Sequence, residues 1–219
     1  MHKLFIEAKY KGDFDVSKIK IPQNKIGLCS SVQFIKFLDD VKKHLEEQSK
    51  EVILIKGNHS KHCGQILGCD VLQGLDKYDV EAFLYIGDGL FHPKALLLKN
   101  ELPVFSYNPR TEEMKEISSD DIKRMKIKQK IAINKFHSNK NIGIIITTKH
   151  GQNQSKKAEE LEKEYENKNL YTFIADTIDF LELENFPFIE CWVNTACPRI
   201  SFDDMAEMEK SIVDINDIL

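Results

Sequence analysis

Two cysteines stand in settings that suit metal chemistry: Cys69 in Leu67-Gly68-Cys69-Asp70, and Cys197 in Asn194-Thr195-Ala196-Cys197-Pro198-Arg199-Ile200. They are 197 − 69 = 128 residues apart, whereas a zinc ribbon or a ferredoxin spaces its ligands by about two to four residues along the chain. A site that used both would be assembled by the fold, with one ligand from each half of the molecule. The glycines Gly64 and Gly68 let the backbone before Cys69 approach a bulky ligand. Pro198 stops regular structure just past Cys197. Each cysteine reads either as a ligand or as a small buried hydrophobe, and the residues alone leave both readings open.

The other cysteines divide by chain reach. Cys191 precedes Cys197 by six residues and falls in a strand expected over Phe188 to Asn194. Six residues of extended chain span roughly 20 Å, too far for the two thiols to share an iron, so Cys191 reads as core. Cys29, in a short buried strand, reads the same way. Cys63 lies in a loop that can fold back toward Cys69, and it is either a substitute ligand or a thiol without a role. His59 and His62 add a His-x-x-His-Cys cluster; the residue types suit zinc, but the spacing matches no zinc motif.

Three further stretches follow expected strands. Gly87-Asp88-Gly89, within Tyr85-Ile86-Gly87-Asp88-Gly89-Leu90-Phe91-His92-Pro93, is either a ligand-binding turn or a plain β-turn. In the first case Asp88 takes a ribose hydroxyl or an amine, while His92-Pro93 shapes the loop. Thr147-Thr148-Lys149-His150-Gly151-Gln152 offers backbone donors and Lys149 to a carboxylate or phosphate, without the spacing of a nucleotide P-loop. Arg199 suits bidentate pairing with a carboxylate, or a structural ion pair.

The elements that must position these residues have an α/β rhythm. Strands are expected over Leu4 to Ala8, Lys25 to Cys29, Glu51 to Ile55, Ala82 to Ile86, Leu102 to Ser106, Asn141 to Thr147, Leu170 to Ala175 and Phe188 to Asn194. Helices are expected over Val32 to Glu47, capped by Ser30-Ser31, then Ser118 to Lys135 and Ser155 to Glu166. Continuous apolar strands between helices predict parallel sheets covered on both faces, and open α/β sheets collect ligands at the carboxyl ends of their strands. Asn141 to Thr147 repeats the pattern of Lys25 to Ser30, which predicts two tandem similar α/β domains, each a small parallel sheet flanked by helices. The expected division is a connector over 1–22, a domain over 23–117 with Cys69, a linking helix over 118–137 and a domain over 138–219 with Cys197.

Composition sets the bounds. Of 219 residues, 30% are charged and 42% hydrophobic, as in ordinary globular chains. A formal net charge of −4 argues against direct nucleic-acid binding, which calls for a basic surface. The longest apolar runs, such as Ile142 to Ile146, are too short to cross a bilayer, and Met1 to Ile6 lacks the pattern of a cleaved leader. The expectation is a cytoplasmic protein with no membrane partner, whose five cysteines are core residues, ligands or reactive thiols rather than disulfides.

The segments Ser31-Val32-Gln33-Phe34, Gly64 to Cys69, Tyr85 to Pro93, Thr147 to Gln152 and Asn194 to Ile200 occur in the order found in the diphthamide-synthesis family. The chain resembles its archaeal type, 2-(3-amino-3-carboxypropyl)histidine synthase, over about residues 20–219. The resemblance implies an iron–sulfur transferase of three similar α/β domains, each donating one cysteine to a [4Fe–4S] cluster whose remaining iron binds S-adenosylmethionine. Reductive cleavage would yield a 3-amino-3-carboxypropyl radical that adds to a histidine of translation elongation factor 2. It implies Cys69 and Cys197 as the second-domain and third-domain ligands. It also implies Gln65, Gly87, Asp88, Gly89, His92, Gln152 and Arg199 as cofactor-pocket residues.

Residues 1–22 would then be the tail of a first domain whose cysteine has no match here. Completion would come from a homo- or hetero-oligomeric partner, from Cys63 or from an external ligand, with a reductant protein as a further partner. The alternative is a non-catalytic binding or scaffold subunit of such an enzyme.

Overall fold

The computed structural model describes residues 4, 6–57, 59–68, 74–98, 100–118, 120–203 and 210–219. The chain divides into two compact units, Met1–Ile122 and Lys123–Leu219. Cys69 lies outside the described residues.

In the first unit the strands are β1 (Lys25–Ser30), β2 (Glu51–Leu54), β3 (Ala82–Ile86), β4 (Val104–Asn108) and β5 (Glu113–Glu116). They lie in the order β2-β1-β3-β4-β5. The first four run parallel, and β5 turns back antiparallel on β4. All five residues of β3 are buried, as a central strand covered on both faces requires. Helix α1 (Leu38–Glu46) places Leu38, Val41 and Leu45 in the core, at three- and four-residue steps. A 3-10 turn over Ile35–Phe37 leads into it, so the helix starts six residues later than its periodicity predicts. The Ser30 and Ser31 pair does not cap it; the Ser30 hydroxyl donates to the Ser31 carbonyl instead.

Helix α2 (Phe91–Leu98) was not anticipated. Pro93 sits in its first turn, where a missing N–H is tolerated. Residues 6–11 form no strand, but Ile19 and Ile21 are 0% and 4% exposed in the first unit's core, and Phe14 packs edge-on against Phe37. Phe14, Ile19 and Ile21 are therefore built into this unit.

Helix α3 (Asp120–Ser138) carries the chain into the second unit. There β6 (Asn141–Thr147), β7 (Asn169–Ala175), β8 (Cys191–Asn194) and β9 (Ile212–Asp214) form an all-parallel sheet in the order β7-β6-β8-β9. Helices α4 (Ser155–Glu164), α5 (Phe180–Leu183) and α6 (Ile200–Asp203) make the connections. Trp192, fully buried, lies across Gly143, where a Cβ would stand 2.4 Å from the ring. The glycine is thus a packing requirement of the indole.

Both sheets share one strand order: second, first, third, fourth. Each therefore has a topological switch point between its first and third strands, the place where open α/β sheets bind ligands. No helix among the described residues is long and apolar enough to cross a membrane.

Candidate functional site

In the first unit, the loop leading toward Cys69 is stitched to the end of β1. The Ser30 N–H donates to the Gly64 carbonyl (2.8 Å) and the Ile66 N–H to the Ser30 carbonyl (3.0 Å). Gly64 has φ +77°, and a Cβ there would meet Leu38 Cδ1 at 2.2 Å, so glycine is required on both counts. Gln65 is 8% exposed. Its Oε1 accepts from the Lys61 and His62 N–H groups, both at 3.1 Å, so this half of the carboxamide shapes the loop. The His62 ring bonds Glu7 at 2.8 Å, and Lys61 joins the same carboxylate at 3.0 Å. These bonds hold the Glu7 carboxyl below its usual range. Cys63 is exposed.

The turn after β3 adjoins this loop through Phe91. A Cβ on Gly68 would lie 2.1 Å from the Phe91 ring, so the aromatic rests on the backbone one residue before Cys69. His92 stacks on Tyr85 with ring centroids 5.5 Å apart and planes 13° from parallel, and its Nδ1 is 3.2 Å from the Tyr85 hydroxyl. Burial pushes the Tyr85 phenol up, so it stays neutral. A Cβ on Gly87 would meet that hydroxyl at 2.6 Å, while Gly89, at φ +71°, faces open space. Asp88 is partly exposed and stands 3.8 Å from Arg110 Nη1.

In the second unit the corresponding rim is made by the ends of β6 and β8. The Thr147 hydroxyl donates to the Asp176 carbonyl (3.2 Å) and accepts from the Lys149 N–H (3.2 Å), while the Thr148 hydroxyl donates to the Asp176 carboxylate (3.0 Å). The Gln152 N–H closes the following turn on the Lys149 carbonyl at 3.1 Å.

Beyond β8, Thr195 donates to the Ile145 carbonyl through both its hydroxyl (2.7 Å) and its N–H (3.1 Å). Asn194 Oδ1 accepts from the Ala196 N–H (3.0 Å), and its Nδ2 donates to the Cys197 carbonyl (2.9 Å). Gln154 reaches the Ala196 carbonyl at 3.4 Å. The result is a braced turn that leaves Cys197 partly exposed and Arg199 4% exposed.

Cys29 and Cys191 are fully buried in their sheets. Desolvation pushes both thiols up, Cys191 to about 12, so both are core residues. Among the described residues, no three His, Cys, Asp or Glu side chains come together to hold a metal ion. The structure thus brings Gln65, Gly87, Asp88, Gly89 and His92 to the rim of one sheet, and Gln152, Cys197 and Arg199 to the rim of the other. The sequence did not reveal Tyr85, Phe91, Asn194, Gln154 or the buried Asp214 as participants. Asn194 at least stands inside the Cys197 motif, whereas Asp214 has no local signal.

Two tandem, mostly parallel sheets flanked by helices define an α/β protein. Residues 4–218 match the model of the putative diphthamide synthesis proteins, and the chain belongs to that family. It is 30% identical over 202 residues to the 2-(3-amino-3-carboxypropyl)histidine synthase of Pyrococcus horikoshii, covering 91% of this chain and 57% of that protein. It is 29% identical over 211 residues to subunit 1 of the corresponding synthase of Schizosaccharomyces pombe, covering 91% and 48%. The crystal structure of Dph2 from Pyrococcus horikoshii with a 4Fe-4S cluster superposes with a TM-score of 0.74 at 27% identity, over 89% of this chain and 56% of that one. The chain spans about half the length of the curated relatives it matches.

Proposed function

We propose that the chain is a component of a diphthamide-synthase-type enzyme that transfers the 3-amino-3-carboxypropyl group of S-adenosylmethionine to a histidine of translation elongation factor 2. The observation that carries this reading is the Cys197 turn, a partly exposed thiol on braced backbone at a switch point. Thiolate donors are what a [4Fe–4S] cluster takes, and Cys197 fits as one of them. The described residues do not complete a ligand set; Cys69 and a thiolate from a partner polypeptide are the proposed remaining donors. When bound, such a cluster supplies the electron that opens a carbon–sulfur bond of S-adenosylmethionine.

The chain's own residues would bind and orient. Arg199 would pair with a substrate carboxylate through its planar, two-pronged guanidinium. Asp88, His92 and Gln152 would supply polar contacts, and Gly87 and Gly89 would let backbone approach the ligand. Gln65 would act by holding the loop that leads to Cys69. A reductant protein completes the partners.

Anaerobic iron–sulfur reconstitution followed by EPR of the reduced protein, with and without S-adenosylmethionine, tests the reading. The expected result, for the chain alone or with its partner, is a [4Fe–4S] signal that shifts with S-adenosylmethionine and disappears in Cys69→Ala and in Cys197→Ala. A signal that survives Cys197→Ala would refute the assignment. The alternative reading is a non-catalytic binding or scaffold subunit of such an enzyme; elongation factor 2 binding with no cluster under any reconstitution would select it.

A further inference from the structure

The buried acid nearest the Cys197 turn takes no part in the function proposed above. Asp214, the last residue of β9, is 3% exposed. Its Oδ1 accepts from the Asn216 N–H (3.0 Å) and from Asn216 Nδ2 (2.6 Å). Its Oδ2 faces Asn194 Nδ2 at 3.4 Å. Asn216 is held in turn by Lys157 from α4.

The first unit contains a natural control. Asn108, the last residue of β4, likewise ends the fourth strand of its unit, and its Oδ1 accepts from the N–H two residues on, Arg110, at 2.9 Å. Closing this turn therefore takes one carbonyl-type oxygen and no carboxylate. Burying an acid is costly, so the difference at position 214 calls for a reason, and the second oxygen supplies it. The Asn194 carboxamide could face either way, and its neighbours decide. The Ala196 N–H can only donate, while the Cys197 carbonyl and the Asp214 carboxylate can only accept. An acceptor-only group at 214 fixes the Nδ2 side toward Asp214 and the Cys197 carbonyl, leaving Oδ1 for Ala196.

We propose that Asp214 is a positioning residue that acts through Asn194, orienting its carboxamide so that the turn carrying Cys197 is held in one conformation. The importance of that turn rests on the reading of Cys197 as a cluster ligand. The test needs no cluster, so its failure and the failure of that reading are distinguishable.

The experiment is site-resolved alkylation of the metal-free chain by iodoacetamide, followed by mass spectrometry, for wild type, Asp214→Asn and Asn194→Ala. Asp214→Asn keeps an oxygen for the Asn216 N–H, as Asn108 does for Arg110, and sets an NH2 against the Asn194 NH2. It thus remains informative if Asn194→Ala does not fold. In wild type the buried Cys29 and Cys191 mark global opening, and the exposed Cys63 marks intrinsic reagent reactivity. The expected result is Cys197 alkylation about threefold or more faster in both variants, the signature of local loosening, with Cys29, Cys63 and Cys191 unchanged. An unchanged Cys197 rate in folded Asp214→Asn would overturn the proposal. So would a rise shared by Cys29 and Cys191, because it would mark a general loss of stability.

Discussion

The same carboxyl gives the second unit a pH dependence of definite sign and size. Desolvation raises the Asp214 pKa from its ordinary 3.8 to about 6, against the opposing hydrogen bonds from Asn216; Asp217 adds to the rise and Lys157 opposes it. The folded protein therefore holds this proton more tightly than the unfolded chain does. Stabilisation from the group is complete below pH 3.8, declines as the pH rises through about 6 and is absent above. At about 1.36 kcal/mol per decade, the difference between 3.8 and about 6 amounts to about 3 kcal/mol. Roughly half, about 1.5 kcal/mol, falls between about pH 5 and pH 7.5. Asp214→Asn removes this contribution. The assay is urea unfolding followed by the fluorescence of Trp192, the single tryptophan, buried in the second unit's core. Between those two pH values wild type should lose about 1.5 kcal/mol more than Asp214→Asn. Parallel pH curves for the two proteins would refute the placement of a buried titrating acid at the end of β9.

Other expectations follow from packing. Gly143→Ala, with its Cβ 2.4 Å from the Trp192 ring and 3.1 Å from Ile189 Cγ2, should cost about 1–3 kcal/mol by overpacking and shift the tryptophan emission. Gly64→Ala meets both a positive φ and Leu38; it should cost about 1–3 kcal/mol and speed hydrogen exchange at the Ser30 and Ile66 amides. Gly68→Ala displaces only the Phe91 ring, which is 47% exposed and can yield. Its unfolding free energy in urea should therefore stay within about 0.5 kcal/mol of wild type, while the yield of reconstituted cluster falls. In neutral buffer Cys63 should react with a thiol reagent at once, and Cys29 and Cys191 only after denaturant is added.

The central strands were legible because their apolar runs are unbroken: β1, β3 and β6 are buried on both faces. Helix α2 was not, since Ala95, Leu96, Leu97 and Leu98 are all buried and leave no polar face to set a helical period. Strand β5 is exposed and charged along an edge, so it lacks the alternation that marks a half-buried strand. The start of α1 was misplaced because Phe34 and Ile35, at the entry to the 3-10 turn, continue the three- and four-residue steps of Leu38, Val41 and Leu45.

The site shows the same division. The Cys197 motif could be seen from residue types, but its bracing by Asn194 is a matter of side-chain geometry. Asp214 comes from a separate strand 214 − 197 = 17 residues on, and no spacing rule connects the two. Gln65, expected to face a ligand, gives its oxygen to Lys61 and His62, a local loop bond that sequence cannot distinguish from a binding contact.

The shared strand order of the two units has a consequence for their history. In the first unit Cys69 falls between the second and third strands, whereas in the second unit Cys197 follows the third. If the units descend from one duplicated ancestor, the duplication copied the sheet and its rim but not a thiol, for the two cysteines do not occupy matching places. On that history the gain or loss of these cysteines was independent of the copying of the sheet. A lineage could therefore lose or replace one of these cysteines and still inherit an intact second unit.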